Sequence, residues 1–278
     1  MKRVLVPVDF SEASIKAFSF GIELANLLKA DLRFMHVVTG KHYAPVFEDS
    51  PDMKLSGQAY DWMEKLKQEN ERKYKVPGGK FDYKIREGNV TKEITNQAKY
   101  DDSSIIVLGS HGISGFEDKW IGSNAYRLVI SAPCPVLLIR KSFEQKAFKK
   151  IVMPVDIKKS SRLKVPVIAG VAKLFQAKVY VVGLKETNFS SILNSIRAII
   201  HQVEHYLKDF VGVETESAIL TGKNLPRKLL EYSASIDADL IAIQINHDSN
   251  PFSDLIKPFA NEIINYADRP VLVVPTIE

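Results

Sequence analysis

The 278-residue chain repeats one sequence pattern in its two halves. Residues 3–9 read RVLVPVD and residues 150–156 read KIVMPVD, so each half opens with a short apolar run that ends in Pro-Val-Asp. The similarity returns later, where residues 132–139 (APCPVLLI) correspond to residues 267–274 (ADRPVLVV). A repeat of this length indicates a duplicated domain, because a single large domain would not explain it.

Within each half, short apolar runs alternate with longer amphipathic segments. This order predicts a doubly wound α/β fold, in which helices cover both faces of a parallel sheet. The helix after Asp9 repeats apolar residues at helical spacing, namely Phe18, Ile22, Ala25 and Leu28. The corresponding residues of the second half are Leu163, Val167, Val171 and Leu174. We predict domains at residues 1–143 and 148–278, with the boundary in the charged stretch Lys141–Lys149.

Three further segments are assigned from their patterns. Lys41–Tyr60 contains prolines and a glycine without a clear period, which predicts a loop. Asp61–Lys75 predicts a polar helix, and Ser190–Phe210 predicts an amphipathic one. A short helix is expected over Asn124–Ser131, with three residues packed inward: Ala125, Leu128 and Val129.

Composition narrows the class of protein. The net charge of +5 comes from 38 basic and 33 acidic residues without a dominant basic run, so we expect no nucleic-acid partner. No apolar run reaches eighteen residues, so we expect no membrane-spanning segment. The single cysteine, Cys134, excludes an internal disulfide and fits a reducing compartment, which predicts a cytoplasmic protein and a buried structural thiol.

The stretch Gly109–Ser123 carries the clearest chemical signal. Gly109 and Gly112 follow directly on a predicted buried strand, and Gly122 precedes a predicted helix. Glycines let the backbone approach phosphate oxygens, and the start of a helix offers unpaired amides and the positive end of a dipole. Ser123 adds a hydroxyl donor at the same place. These parts suit the phosphates of a nucleotide.

The spacing Gly-x2-Gly-x9-Gly-Ser, formed by Gly109, Gly112, Gly122 and Ser123, resembles the ATP-binding signature of the universal stress protein family. The Pro-Val-Asp openings and the Pro-Cys-Pro-Val ending are also typical of that family. The resemblance implies a tandem pair of domains with a Rossmann-like, adenine-nucleotide α-hydrolase-like fold and strand order 3-2-1-4-5. It also implies ATP as the ligand, alone or with Mg²⁺.

The resemblance implies further contacts to the nucleotide. Asp9 is expected to bind the ribose, and the backbone of Val37 is expected to bind adenine. Pro7 and Leu108 would form apolar walls, and Asn124 follows Ser123 at the start of the helix. With strand order 3-2-1-4-5, Asp9 and Gly109 flank the switch point at which open parallel sheets bind ligands.

The second half departs from the family pattern at all four fixed positions. Gln244 stands for Gly109, His247 for Gly112, Lys257 for Gly122 and Pro258 for Ser123. Larger side chains crowd the approach to phosphates, and a proline lacks the amide donor. Asp156 remains and is expected to cap a helix. We therefore predict no ATP site of the family type in the second half.

Other catalytic and metal candidates are weaker. His111 is interpreted as a loop residue, because no carboxylate is placed by sequence to orient it. His201 and His205, four residues apart, could share a zinc ion, but a third protein ligand is not evident. The sequence contains neither a Walker motif nor a nucleophile-elbow motif.

Three hypotheses of function remain open. The first is a nucleotide-binding sensor or regulator in stress physiology, in which the nucleotide orders the Gly109–Ser123 stretch for an unidentified protein partner. The second is slow ATP hydrolysis or phosphoryl transfer, with Lys119 as a charge partner for the phosphates. The third is a scaffold without nucleotide control. Family members pair through the last strand of each domain, which here implies a pseudo-dimeric monomer or a homodimer.

Overall fold

The computed structural model describes residues 2–39, 55–110, 121–140, 142–144, 147–186, 189–246 and 258–276. The chain divides into two compact units, Met1–Lys141 and Ser142–Glu278.

The first unit is an α/β sandwich. Its described strands are β1 (Arg3–Pro7), β2 (Asp31–Val38), β3 (Phe81–Glu87), β4 (Ile105–Gly109) and β5 (Val136–Ile139). Its described helices are α1 (Glu12–Leu28), α2 (Leu55–Asn70), α3 (Val90–Tyr100) and α4 (Ser123–Ser131), with a 3₁₀ turn at Glu71–Lys73. The strands are parallel in the order β3-β2-β1-β4-β5. The predicted fold class and strand order are therefore confirmed for this unit.

Helix α1 shows why the chain folds as predicted here. Ser11 caps its N-terminus in an extended conformation, and Lys29 ends it in the left-handed region at φ 50°. Of the four residues predicted to face inward, Phe18, Ile22 and Ala25 are buried, and Leu28 in the last turn is half-buried. This face packs on β1 and β4.

The second unit repeats the architecture. Its described strands are β6 (Lys150–Val155), β7 (Lys178–Lys185), β8 (Thr215–Thr221), β9 (Leu240–Asn246) and β10 (Val271–Thr276). Its described helices are α5 (Val165–Phe175), α6 (Ser190–His205), α7 (Leu225–Ser235) and α8 (Pro258–Tyr266). A 3₁₀ turn at Lys159–Arg162 precedes α5, and a π-helical segment at Tyr206–Val211 continues α6. The parallel strands run β8-β7-β6-β9-β10, which is again the 3-2-1-4-5 order.

Two predictions about helices are wrong. The predicted inward face of α5 began with Leu163, which is 56% exposed and precedes the helix. The residues that α5 buries are Val165, Ile168, Ala169, Ala172 and Phe175. Residues 55–60, predicted as loop, form the start of α2, where Ala59 is buried one turn before Met63. The remainder of that predicted loop, residues 41–54, lies outside the described residues.

Candidate functional site

Asp9 lies just after β1 and is half-buried. Its Oδ1 accepts a hydrogen bond from the Ser11 amide at 3.0 Å and another from the Ser11 hydroxyl at 2.6 Å. The Ser11 side chain in turn caps α1 by accepting from the Ser14 amide at 3.2 Å. Within the described part of the chain, Oδ2 of Asp9 has no hydrogen-bond partner. The start of α1 thus fixes the carboxylate through one oxygen and leaves the other for a ligand.

Phe10 anchors the turn that carries Asp9. Its φ of 63° lies in the left-handed region, which costs a bulky residue about 1–3 kcal/mol. The ring is only 1% exposed, and its centroid lies 4.9 Å from that of His36 and 5.1 Å from that of Trp62. Burial of this ring offsets the backbone strain, so the turn at Asp9 is held in one conformation.

His36 ties the same turn to β2. Its Nδ1 lies 2.8 Å from the Val8 carbonyl oxygen, and because a carbonyl can only accept, Nδ1 carries the proton. Burial lowers the pKa of His36, while the bond to Val8 and the charge of Asp9 act in the opposite direction. The Val8 amide also donates to the Met35 carbonyl at 2.8 Å. Sequence analysis missed Phe10 and His36, because neither belongs to a motif.

Val37 presents its backbone toward β1. The Met35 carbonyl accepts from Val8, the residue after β1, whereas the Val38 carbonyl accepts from Gly88 after β3. Because backbone polar groups alternate sides along a strand, the amide and carbonyl of Val37 point to the β1 side. The described ladder between these strands ends at Pro7 and Met35. The Val37 backbone therefore faces the space beyond the end of β1, consistent with the predicted contact to a base.

Pro7 and Leu108 border the opening between β1 and β4. The ladder between these strands pairs Val4 with Ile105 and Leu5 with Ile106, and the described pairing stops there. Pro7 and Leu108 lie two residues farther along their strands, and both are buried. The crossovers diverge at this pair of strands, which is the switch point of the sheet.

Gly109 has a packing role that the sequence did not reveal. A Cβ atom at this position would lie 2.7 Å from the backbone carbonyl carbon of Ala13 and 2.9 Å from the amide nitrogen of Ser14. Backbone atoms of a helix cannot yield to such an approach, so only glycine lets α1 begin against β4. The phosphate approach expected from the sequence stays a prediction, and the packing of α1 is a second reason for glycine at this position.

A hydrogen bond joins the end of β4 to the start of α4. The Gly122 amide donates to the Ser110 carbonyl at 3.0 Å, and the Ser110 amide donates to the Ile139 carbonyl at 3.0 Å. Gly122 is the N-cap of α4, with no side-chain cap, and Ser123 and Asn124 are exposed in the first turn. The first turn contains no acidic residue, so the positive end of the helix dipole is not neutralised by a side chain of that turn.

The structure brings most predicted site residues to one edge of the first sheet. Those that follow or end strands are Pro7, Asp9, Val37, Leu108 and Gly109, and those at the start of α4 are Gly122, Ser123 and Asn124. The predicted contact at Gly112 lies outside the described residues, as do His111, interpreted as a loop residue, and Lys119, the charge partner of the enzymatic hypothesis.

The corresponding edge of the second unit is built differently. Gln244, which replaces Gly109, bonds through Nε2 to the Thr276 hydroxyl at 2.6 Å. Helix α1 begins three residues after Asp9, whereas α5 begins nine residues after Asp156, preceded by a 3₁₀ turn. A side chain at Gln244 is incompatible with the close approach that Gly109 allows, which explains the delayed helix.

Lys164 occupies the place of Ala17 in the second unit and is 2% exposed. Its ammonium group donates to the Ser161 carbonyl. Burial lowers the pKa of Lys164 to about 7, although the charge of Asp156 opposes this shift. Asp156 accepts from the Lys158 amide at 2.8 Å, but the N-cap residues of the 3₁₀ turn and of α5 are Lys158 and Lys164, so the predicted helix-capping role of Asp156 is wrong. The edge of the second unit that corresponds to the candidate site thus contains a buried amine.

The structure also describes the surroundings of the cysteine and histidine candidates. Cys134 is buried, which raises the pKa of its thiol to about 12 and agrees with the predicted structural role. His205 bonds through Nδ1 to Asp209, and His201 is exposed. The described residues contain no group of three or more histidine, cysteine or acidic side chains that could hold a metal ion. None of the described helices is long and apolar enough to cross a membrane.

Comparison with known proteins agrees with this architecture. The sequence profile of the Universal stress protein family matches residues 1–140, so the chain belongs to that family. Universal stress protein YxiE of Bacillus subtilis is 30% identical over 149 residues, which cover 50% of this chain and 98% of the relative.

Two further comparisons extend over both units. Universal stress protein Rv2624c of Mycobacterium tuberculosis is 24% identical over 278 residues, covering 99% of this chain and 96% of that protein. The crystal structure of a universal stress protein from Archaeoglobus fulgidus superposes with a TM-score of 0.76 at 16% identity, covering 98% of each chain. The chain is similar to tandem members of the family along its whole length.

Proposed function

We propose that the first unit binds ATP or another adenine nucleotide and that the protein acts as a regulator or sensor in stress physiology. One observation carries the proposal: an Asp9 oxygen without a described partner and an uncapped, acid-free start of α4 lie at the same edge of one sheet. A carboxylate suits the hydroxyls of a ribose, and free helix amides suit a phosphate. A nucleotide contains both groups.

In this proposal, the base lies beside the Val37 backbone, between the apolar residues Pro7 and Leu108. The ribose hydroxyls bind Oδ2 of Asp9, which Ser11 and Phe10 hold in position. The phosphates lie at the amides of the first turn of α4, where Gly122, Ser123 and Asn124 begin the helix. Bound Mg²⁺ would neutralise phosphate charge, and phosphate oxygens would supply its ligands together with water.

The second unit is proposed to bind no nucleotide. Gln244 fills the position at which the first unit requires glycine, and Pro258 begins α8 without an amide donor. The chain is therefore expected to bind one nucleotide. A protein partner, a cytoplasmic location and a pseudo-dimeric or homodimeric assembly remain predictions from the family resemblance.

Substitutions at Asp9 and Asp156, which occupy equivalent positions in the two units, provide the test. Isothermal titration of the folded protein with ATP, AMP and cyclic AMP, each with and without Mg²⁺, measures affinity and stoichiometry. Asp9→Asn keeps the acceptor for Ser11 but loses the charge, so we expect nucleotide affinity to fall about 10- to 100-fold. Asp156→Asn makes the same change in the second unit and is expected to leave affinity unaltered.

Three outcomes would contradict the proposal. Folded protein that binds no adenine nucleotide would favour the scaffold hypothesis. Two nucleotides per chain would show that the second unit also binds. Steady release of phosphate from bound ATP would replace the sensor hypothesis by the enzymatic one.

A further inference from the structure

Arg140 is a buried cation at the edge of the first sheet that contains the candidate site. It follows β5 directly and is 4% exposed. Its neighbour Ile139 accepts the Ser110 amide, and Ser110 accepts the amide of Gly122, the N-cap of α4. Two backbone hydrogen bonds thus connect the residue before Arg140 to the start of α4.

Arg140 is also a point of difference between the two units. In the alignment that pairs residues 132–139 with residues 267–274, its counterpart is Pro275. The second unit, which has lost all four fixed positions of the glycine signature, thus also lacks this cation. The described residues that follow β1, β4 and β5 include Asp9, Ser110 and Arg140, so the edge changes from negative to positive along the strand order β1-β4-β5.

This order of charges matches the order of groups in a nucleoside triphosphate. Neighbouring strands lie about 4.8 Å apart, so β5 is about 10 Å from β1. A ribose at Asp9 places the first phosphate near β4 and the start of α4, and only a longer phosphate chain extends to β5. Guanidinium groups bind phosphate oxygens in a bidentate manner and keep their charge when buried.

We propose that Arg140 binds the β- and γ-phosphates of the nucleotide and makes the first unit prefer nucleoside di- and triphosphates over monophosphates and cyclic nucleotides. This inference rests on the proposed function but adds to it, since it assigns the ligand class to one residue.

The test compares ATP with AMP in Arg140→Met and in the unaltered protein, by isothermal titration at fixed Mg²⁺ and ionic strength. We expect the variant to lose about 10- to 100-fold in ATP affinity and less than about threefold in AMP affinity, as expected for loss of a charged hydrogen bond to the outer phosphates. Arg127→Met removes an exposed arginine from α4 and is expected to leave both affinities unchanged.

Two measurements distinguish a loss of nucleotide binding from a folding defect. Thermal unfolding without nucleotide establishes that the variant folds, and Arg140→Lys, which keeps the charge but loses the planar fork, serves if Arg140→Met does not. The lysine variant is expected to lose several-fold in ATP affinity only. Equal losses for ATP and AMP, or no loss, would overturn the inference while leaving the proposed function intact. Failure of the unaltered protein to bind any nucleotide would overturn both.

Discussion

At the scale of single residues, the two units place side chains of opposite kinds at equivalent positions. Ala17 lies fully buried in α1, whereas its counterpart Lys164 buries an amine. A buried ammonium is costly, since one hydrogen bond to the Ser161 carbonyl does not replace its hydration. Lys164 is therefore expected to limit the stability of the second unit.

Lys164 predicts a pH dependence of stability. Its folded-state pKa of about 7 lies below the ordinary value of 10.5, so between these values the unfolded chain binds a proton that the folded chain does not. The free energy of unfolding of the second unit should therefore rise as pH increases from about 7 to about 10. Below about pH 7 both states are protonated, and this contribution becomes constant.

Lys164→Met is expected to raise the free energy of unfolding by about 1–4 kcal/mol at pH 7 and to remove this pH dependence. Urea unfolding at several pH values, with hydrogen exchange to assign the second unit, measures both effects. Lys173→Met alters an exposed lysine of α5, the helix that begins directly after Lys164, and serves as the control. A variant that is less stable at neutral pH would show that the amine makes a favourable buried interaction.

At the scale of elements, one glycine decides where a helix begins. Gly109→Ala places a methyl group 2.7 Å from the Ala13 backbone, so we expect a loss of about 1–3 kcal/mol in the stability of the first unit. Gly170→Ala is the matched substitution, because nothing lies within 4 Å of a Cβ there and the residue is inside α5. It should gain up to about 1 kcal/mol. Denaturant unfolding of both variants tests the contrast.

The same contact affects how substitutions at Gly109 are interpreted. Loss of nucleotide binding in a Gly109 variant would follow from displacement of α1, and with it of Asp9, even without any contact between Gly109 and phosphate. Equal stabilities of the Gly109→Ala variant and the unaltered protein would contradict the packing explanation and restore the direct one.

The sequence predicted the order of helices and strands better than it predicted which face of each helix is buried. The repeat and the alternation of strands with helices predicted the doubly wound fold, whereas the strand order followed only from the family resemblance. The face of α1 was predictable because polar residues interrupt it, whereas α5 reads VPVIAGVAKLF and is too uniformly apolar for periodicity to select a face. The start of α2 was missed because Ala59 is a small residue in a polar context.

The candidate site was predictable only in part, for a related reason. Asp9 and the start of α4 carry local sequence signals, since capping and glycine preferences act within a few residues. Phe10 and His36 act through contacts between elements distant in sequence, and the left-handed φ of Phe10 has no sequence signature. The delayed start of α5 likewise depends on Gln244, which is about 80 residues away along the chain.

At the scale of the whole molecule, we propose one nucleotide site, in the first of the two similar units. Nucleotide should therefore stabilise one unit. At a hundredfold excess over the dissociation constant, binding adds about 2.7 kcal/mol to the folded state that binds. We expect ATP to slow hydrogen exchange in residues 8–14 and 121–126 and to leave residues 155–165 unchanged. Equal protection of both regions would indicate a second site.

The bond between the Ser110 carbonyl and the Gly122 amide joins the end of β4 to the start of α4 through backbone atoms alone. The join is therefore indifferent to which side chain stands at position 110, so Ser110→Ala should leave the start of α4 where it is. Gly122→Pro, by contrast, would remove the donor and release the start of the helix from the strand.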